Sequence, residues 1–483
     1  MQGAVVQRVL GLLLMLFSLT MLPPALVGLI YRDASVAPFL HGFLILVAAG
    51  ALVWWPVRQE RRELKLRDGF LVVVLFWSVL GVAGSVPLLL SEAPAVSPFD
   101  AVFESVSALT TTGATVLTGL DGLPRSILFY RQQLQWLGGM GIIVLAVAVL
   151  PMLGVGGMQL YRAEAPGPVK DHKLTPRIAE TAKALWYIYL ALTVACMAAY
   201  WLAGMDGFDA LAHAFSTVAI GGFSTHDASL GHFDSPWVEA VAVVFMLLAG
   251  MNFALHFLAW RGRSPRAYLE DAEWRTYLLI IGMAALAVVV FLHFTDTSAS
   301  LMHALREGVF QTVSVATTTG FTTRDFSHWP AFLPVLLIFL SFVGGCAGST
   351  GGGMKVIRVL LLFKQGVRET RRLIHPNATL LVKIGRTSLE DRVVESVWGF
   401  FSAYVFVFVV FMLLMMATGM DQVTAFSAVA ATLNNLGPGL GTVAANYAAI
   451  DDAQKLILSV AMLMGRLEIF TLLVVLSPGF WRR

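Results

Sequence analysis

An all-α integral membrane protein is the fold class this sequence predicts, and three observations predict it. The 483 residues are 57% hydrophobic and only 13% charged, where a soluble domain carries roughly 25% charged residues. Apolar runs of about 20 residues, the length a helix needs to cross a bilayer, recur from end to end. Between them a short apolar segment closing on glycine returns four times. The same composition excludes other classes. A net charge of +3, with the basic residues in short connections, offers no nucleic-acid surface. Cys196 and Cys346 lie in apolar stretches with neither a disulfide framework nor metal-ligand spacing. No dinucleotide fingerprint or phosphate-binding Gly-Lys-Ser/Thr loop occurs, so no tightly bound organic cofactor is expected.

Ten spans are expected. The first, Val9–Ile30, is read as a retained helix because neither a small-residue cleavage pattern nor a soluble domain follows it. The others run Phe39–Pro56, Gly69–Leu90, Ile127–Leu153, Ala184–Ala203, Val238–Trp260, Tyr277–Phe294, Phe332–Leu362, Val397–Thr418 and Lys455–Leu476. With both termini on the cytoplasmic side, 26 of the 33 Lys and Arg residues fall in inside segments and six in outside ones. That bias is the one the positive-inside rule demands. The remaining residue, Arg466, lies within the last span.

Four segments are too short to cross: Pro98–Leu109, Phe208–Thr217, Met302–Ala316 and Gln422–Leu433. All lie on the poorly basic side and read as re-entrant helices, which lipid tolerates only around a water-filled path. They end in Ser107-Ala-Leu-Thr-Thr-Thr-Gly113, Ser216-Thr-Val-Ala-Ile-Gly-Gly222, Ser314-Val-Ala-Thr-Thr-Thr-Gly320 and Ala431-Thr-Leu-Asn-Asn-Leu-Gly437. The repeating unit is span, short helix, loop, span. The chain therefore divides into an appended hairpin (1–68) and four pore units at 69–160, 161–262, 263–375 and 376–483. Four such units around one axis make one pore. Each short helix would aim its partially negative C-terminus at the membrane centre, which favours a cation, and the loop beyond would offer backbone carbonyls that replace its hydration shell. Glycine at the turn permits positive φ or close packing, and neighbouring Thr hydroxyls can tie the loop down. The loop cores lack Asp and Glu, so a carboxylate-ring filter is not expected.

These residues carry a family resemblance over essentially the whole chain. Ala108–Thr115, Ala219–Thr225 with its Ile-Gly-Gly-Phe-Ser-Thr, Ala316–Thr322, and Asn434–Gly439 with its Asn-Asn-Leu-Gly-Pro-Gly resemble the filter loops of the TrkH/TrkG group in the Trk–Ktr–HKT superfamily of potassium transporters. The leading hairpin separates this group from the shorter Ktr-type subunits. The resemblance implies potassium as transported substrate, a bacterial cytoplasmic-membrane location, a homodimer with one pore per protomer, and a cytosolic TrkA-type nucleotide-binding ring as partner. By position, it assigns potassium to the carbonyls at Thr111, Thr112, Ile220, Gly221, Thr318, Thr319, Asn435 and Leu436, beside Gly113, Gly222, Gly320 and Gly437. The second and fourth loops lack Thr-Thr-Thr, which implies a looser filter. Asn434 and Asn435 have the alternative of simply terminating their helix.

The span after the third loop contains Gly344, Gly345, Gly348, Gly351, Gly352 and Gly353 within ten residues. Each Gly costs a helix ~1 kcal/mol against Ala, so a mid-membrane break is expected, satisfied by a cavity or by protein neighbours. A gate beneath the filter, centred on Gly348, Gly351, Gly352 and Gly353, is one reading, and it is the role the resemblance implies. Close helix packing through small residues is the other. Arg466 lies at a depth where a charge costs several kcal/mol unless paired or wet. Facing the pore it would repel cations and bond the glycine-rich loop. The alternative is a structural ion pair, for which Glu468 is badly placed on the same helix.

Asn252 and His256 share a face of the sixth span, where a hydrogen-bonded histidine is the plainer reading. Asp100, Glu104, Asp209, Glu307 and Asp421 lie near short-helix starts, as capping residues do. The basic stretch Lys364–Arg392 fits topology alone, or docking of the partner ring as well. Potassium uptake gated by the glycine-rich loop is therefore the expected function, with a proton- or sodium-coupled symporter as the alternative. A carrier built from inverted halves would break helices in both halves, whereas one broken span is expected here. An enzyme would need a polar constellation at depth that the spans do not offer.

Overall fold

The computed structural model describes residues 2–148 and 174–482 except 61, 63, 64, 379 and 386. It is helical throughout, apart from an antiparallel pair of two-residue strands, β1 (Lys383–Ile384) and β2 (Thr387–Ser388). The N-terminal helices α1 (Gly3–Ser18), α2 (Leu22–Tyr31) and α3 (Val36–Trp54) form the appended hairpin. At the α1–α3 crossing Gly11 and Gly50 each have the other's carbonyl oxygen where a Cβ would go, the close backbone approach that small residues permit in a bilayer.

Four units follow. The first has α4 (Leu66–Ala83) and α5 (Val86–Leu90), the short helix α6 (Pro98–Leu109) and α7 (Arg125–Ala148). The second has α8 (Leu174–Leu202), short helix α9 (Gly207–Ala219), α10 (Pro236–Ala249) and α11 (Phe253–Gly262). After α12 (Arg266–Glu270), the third has α13 (Ala272–Phe294), short helix α14 (Leu301–Ala316), α15 (Phe332–Val343) and α16 (Val356–Ile374). The fourth has α17 (Asp391–Ala417), short helix α18 (Gln422–Leu433), α19 (Asp452–Arg466) and α20 (Phe470–Leu476), trailed by α21 (Pro478–Trp481). Among the described residues six helices are long and apolar enough to span, and up to eight if each of two bent pairs counts as one. The expected fourth span runs past the described residues, as do the basic residues between 162 and 173.

Polarity is inverted relative to a soluble protein. Leu52, Leu202, Leu286 and Phe294 are exposed on the outside, while Thr110, Thr111, Thr112, Thr317, Thr318 and Thr319 are buried. Apolar surface outside and satisfied polar groups inside are what lipid requires, and the chain is a multi-pass membrane protein.

The expectation of one broken second span needs correction, because three are interrupted. Besides the gap between α15 and α16, the chain bends by 92° between α10 and α11 and by 113° between α19 and α20. At the first bend Asn252 restarts the helix by accepting from the Ala254 N–H at 2.9 Å. Asn252 and His256 are therefore not a mid-helix pair. His256 bonds the Tyr268 hydroxyl and the Leu248 carbonyl, each at 2.9 Å, so its ring is structural. At the second bend Glu468 and Ile469 both take positive φ.

Candidate functional site

The four short helices begin alike. Ser97, Asp206, Ser300 and Asp421 each accept, through a side-chain oxygen, the backbone N–H three residues on. This satisfies one orphan donor at each N-terminus. Asp100 completes a capping box with Ser97. Glu104 and Glu307, expected near the caps, instead form ion pairs with Arg131 at 2.7 Å and Arg324 at 2.9 Å.

The helices also end alike. The N–H of Thr112, Gly221, Thr319 and Leu436 donates to the carbonyl five residues back, at 2.7–2.8 Å. The residue before each takes a left-handed conformation: Thr111 (φ 52°), Ile220 (55°), Thr318 (66°) and Asn435 (54°). This is a Schellman ending, in which glycine is the usual occupant. Three of the four are β-branched, for which positive φ is a true outlier, and such strain persists only where the surroundings over-determine it. The glycine two residues further on is positive again, at 78°, 78°, 84° and 98° for Gly113, Gly222, Gly320 and Gly437.

Those glycines close a ring. A Cβ on Gly113 would strike the Gly221 carbonyl oxygen, one on Gly222 the Thr319 oxygen, and one on Gly320 the Leu436 oxygen. One on Gly437 would crowd the oxygens of Thr112 and Gly113, returning to the first unit. All four glycines also line one cavity of about 340 Å³. Thr hydroxyls tie the loops down: Thr110 bonds Val106 O and the Thr112 hydroxyl, and Thr317 bonds Val313 O and the Thr319 hydroxyl. Asn435 ends its helix and also cross-links, its amide donating to the Thr112 hydroxyl at 2.9 Å and to Met462 O at 3.1 Å.

The glycine-rich break lies directly against this ring. Gly352 N–H donates to the Thr318 hydroxyl at 2.7 Å, Gly353 N–H to Asn434 O at 3.1 Å, and the Thr350 hydroxyl to Val218 O at 3.0 Å. Gly351 faces Thr317 O, and Gly348 faces the Asn252 side chain. Arg466 joins the break to the remaining unit, donating to Thr350 O at 3.2 Å and to the Thr111 hydroxyl at 2.7 Å. The segment thus touches three short-helix ends directly and reaches the fourth through Arg466. Lys355 donates to Gly351 O. Glu468, beyond the end of α19, pairs with Arg358 of α16 at 2.5 Å, which leaves Arg466 to the loop.

The TrkH family model, described as a cation transport protein, matches residues 36–482. The chain belongs to the TrkH family. It is 61% identical over 484 residues to the Trk system potassium uptake protein TrkH of Vibrio parahaemolyticus, with the whole of both chains covered. It is 42% identical over 485 residues to the Trk system potassium uptake protein TrkG of Escherichia coli K12, covering 99% of this chain and 98% of that one. The crystal structure of the potassium transporter TrkH from Vibrio parahaemolyticus matches with a TM-score of 0.93 at 58% identity, covering all of both chains. The family is one of transport, not catalysis.

Sequence reading missed the braces behind the TrkH-type loops. By position Arg131 is one of the six outside basic residues, yet it is 1% exposed. It binds Glu104, the Thr115 hydroxyl at 3.0 Å and Ser224 O at 3.4 Å. Gln135 donates to Gly221 O at 2.7 Å and accepts from Phe223 N–H at 3.2 Å. Four polar residues, Arg131, Gln132, Gln133 and Gln135, in the first part of a long apolar span were the signal available. Arg131→Leu should destabilise the protein by about 3–5 kcal/mol, because Glu104 is left buried without its partner. Melting in detergent should show a marked drop in Tm. The double substitution Arg131→Leu, Glu104→Leu should recover part of it.

Proposed function

We propose that this protein takes up potassium through a filter of backbone carbonyls at Thr111, Thr112, Ile220, Gly221, Thr318, Thr319, Asn435 and Leu436, with Gly113, Gly222, Gly320 and Gly437 setting the spacing. The observation that carries this reading is the closed ring of glycine-to-carbonyl contacts around one cavity. Four helix C-termini aimed at one point favour a cation there, and carbonyl oxygens can stand in for its lost water. Gly348, Gly351, Gly352, Gly353 and Arg466 form the gate. Three basic residues, Arg466, Lys355 and Arg358, stand against two acids, Glu468, paired with Arg358, and Glu273, bonded to the N–H groups of Ala347 and Ile357, so the region below the filter keeps an excess positive charge that a cation must overcome. The four units act as domains of one pore in a homodimer with both termini cytoplasmic. A TrkA-type ring docks near 364–392, where movement of α16 would pull on the gate.

The driving force is ~2.3 kcal/mol per charge per 100 mV of membrane potential. Purified protein in vesicles should take up potassium and rubidium well above sodium when the voltage is set with an ionophore. Imposed proton or sodium gradients should leave the rate unchanged. Uptake that ceases without one of those gradients would establish the symporter instead.

A further inference from the structure

We propose that the rim of the vestibule binds a transition-metal dication of the zinc class, and that the bound ion slows cation passage. Among the described residues, Asp121, His226 and His232 bring one ligand atom each to within 4.8 Å of one another. They come from two quarters of the chain. Asp121 lies on the turn Leu120–Gly122 beyond the first loop, and both histidines follow the second, His232 within the turn Ser229–Phe233. Two imidazoles and a carboxylate suit zinc, which takes three such ligands and a water in tetrahedral geometry. Calcium and magnesium prefer oxygen alone.

A second observation concerns how His226 is held. Its Nδ1 meets Asp121 Oδ1 at 2.5 Å, and its Nε2 meets Asp209 Oδ2 at 3.2 Å. Asp209 is itself fixed by the Thr225 hydroxyl at 2.7 Å. A carboxylate on the far nitrogen is the arrangement that sets the tautomer and orientation of a metal-ligating histidine. Nδ1 is then the electron-pair donor, and because it touches Asp121 Oδ1 directly, a bound ion displaces the proton the two share and parts them. His232 lies flat on His226, with ring centroids 3.5 Å apart and planes within 2°. Parallel rings aim their lone pairs side by side, so one must turn to share the ion. His232 is free to do so, being exposed and, among the described residues, without a side-chain hydrogen bond, whereas His226 is held at both nitrogens.

The consequence for transport follows from position, and this half of the proposal rests on the conduction reading above. His226 and Asp227 line the same cavity as the four filter glycines. Asp227 already links the two loops, accepting from Gly119 N–H at 2.9 Å. An ion at the rim adds two positive charges where potassium must pass and ties the first loop to the second.

The test titrates full-length protein in detergent with zinc chloride by calorimetry and with cobalt chloride by ligand-field absorption. One zinc per chain in the micromolar range and a tetrahedral cobalt spectrum are expected, with both lost or weakened at least tenfold in His232→Ala and in Asp121→Asn. In vesicles, zinc on both faces should lower rubidium uptake several-fold, reversibly with EDTA. His232→Ala should match the parent without zinc and resist its addition. No zinc binding, or equal binding by parent and both variants, would overturn the site. Binding with unchanged uptake would overturn the effect on passage. Binding is read without transport, so a protein that takes up no rubidium would refute the conduction reading while leaving the metal site standing.

Discussion

Replacing Gly113 with serine should cut the ratio of potassium to sodium uptake by on the order of tenfold, equivalent to about 1.4 kcal/mol of lost discrimination. Two effects act together at this position. The backbone has φ 78°, where a side chain is strained, and the added Cβ points into the Gly221 carbonyl oxygen. The neighbouring loop must withdraw, and the oxygens it presents move with it. Gly119 separates the two effects. It also has positive φ, 69°, but nothing lies within 4 Å of its would-be Cβ. Gly119→Ser should therefore leave the uptake ratio near the parent value. Competitive potassium and sodium uptake in vesicles measures both variants, and an unchanged ratio in Gly113→Ser would remove the filter assignment.

Arg466→Ala should raise uptake in the absence of any partner protein several-fold. Arg466 is 7% exposed, and its guanidinium ties Thr350 of the glycine-rich segment to the Thr111 hydroxyl. Its removal deletes both a buried positive charge and the link between that segment and the first loop. Arg466→Lys keeps the charge but cannot span both acceptors with a planar fork, so it should fall between parent and alanine. Detergent melting of the same preparations distinguishes opening from unfolding. An alanine variant with parental flux and parental Tm would exclude Arg466 from the gate.

The re-entrant helices were legible because each leaves three independent marks: an apolar stretch too short to span, a polar cap and a terminal glycine. Pro98–Leu109 and Gln422–Leu433 were read to the residue. The glycine-rich break was equally plain, since no helix tolerates six glycines in ten residues cheaply. The break between α10 and α11 carried only a weak mark, Gly250 followed by Asn252, and the one after α19 carried none. Leu467-Glu468-Ile469 contains neither Gly nor Pro, and positive φ at Ile469 is imposed by tertiary packing against local preference. The Arg131–Glu104 pair was hidden because its members are 27 residues apart on different helices, and counting charges by side of the membrane cannot distinguish a solvated arginine from a buried one. The Asp121–His226–His232 group was invisible for the same reason, lacking any fixed spacing.

The circle of glycines resting on neighbouring oxygens also bears on how a ring written in one continuous polypeptide can change over generations. Each quarter meets the next through main-chain outline, so its side-chain lettering is free to drift while that outline is kept. A chain assembled from identical subunits has no such latitude, because every exchange is made in all copies at once. Here Ile-Gly and Asn-Leu stand where the other two quarters keep Thr-Thr, and the circle still closes.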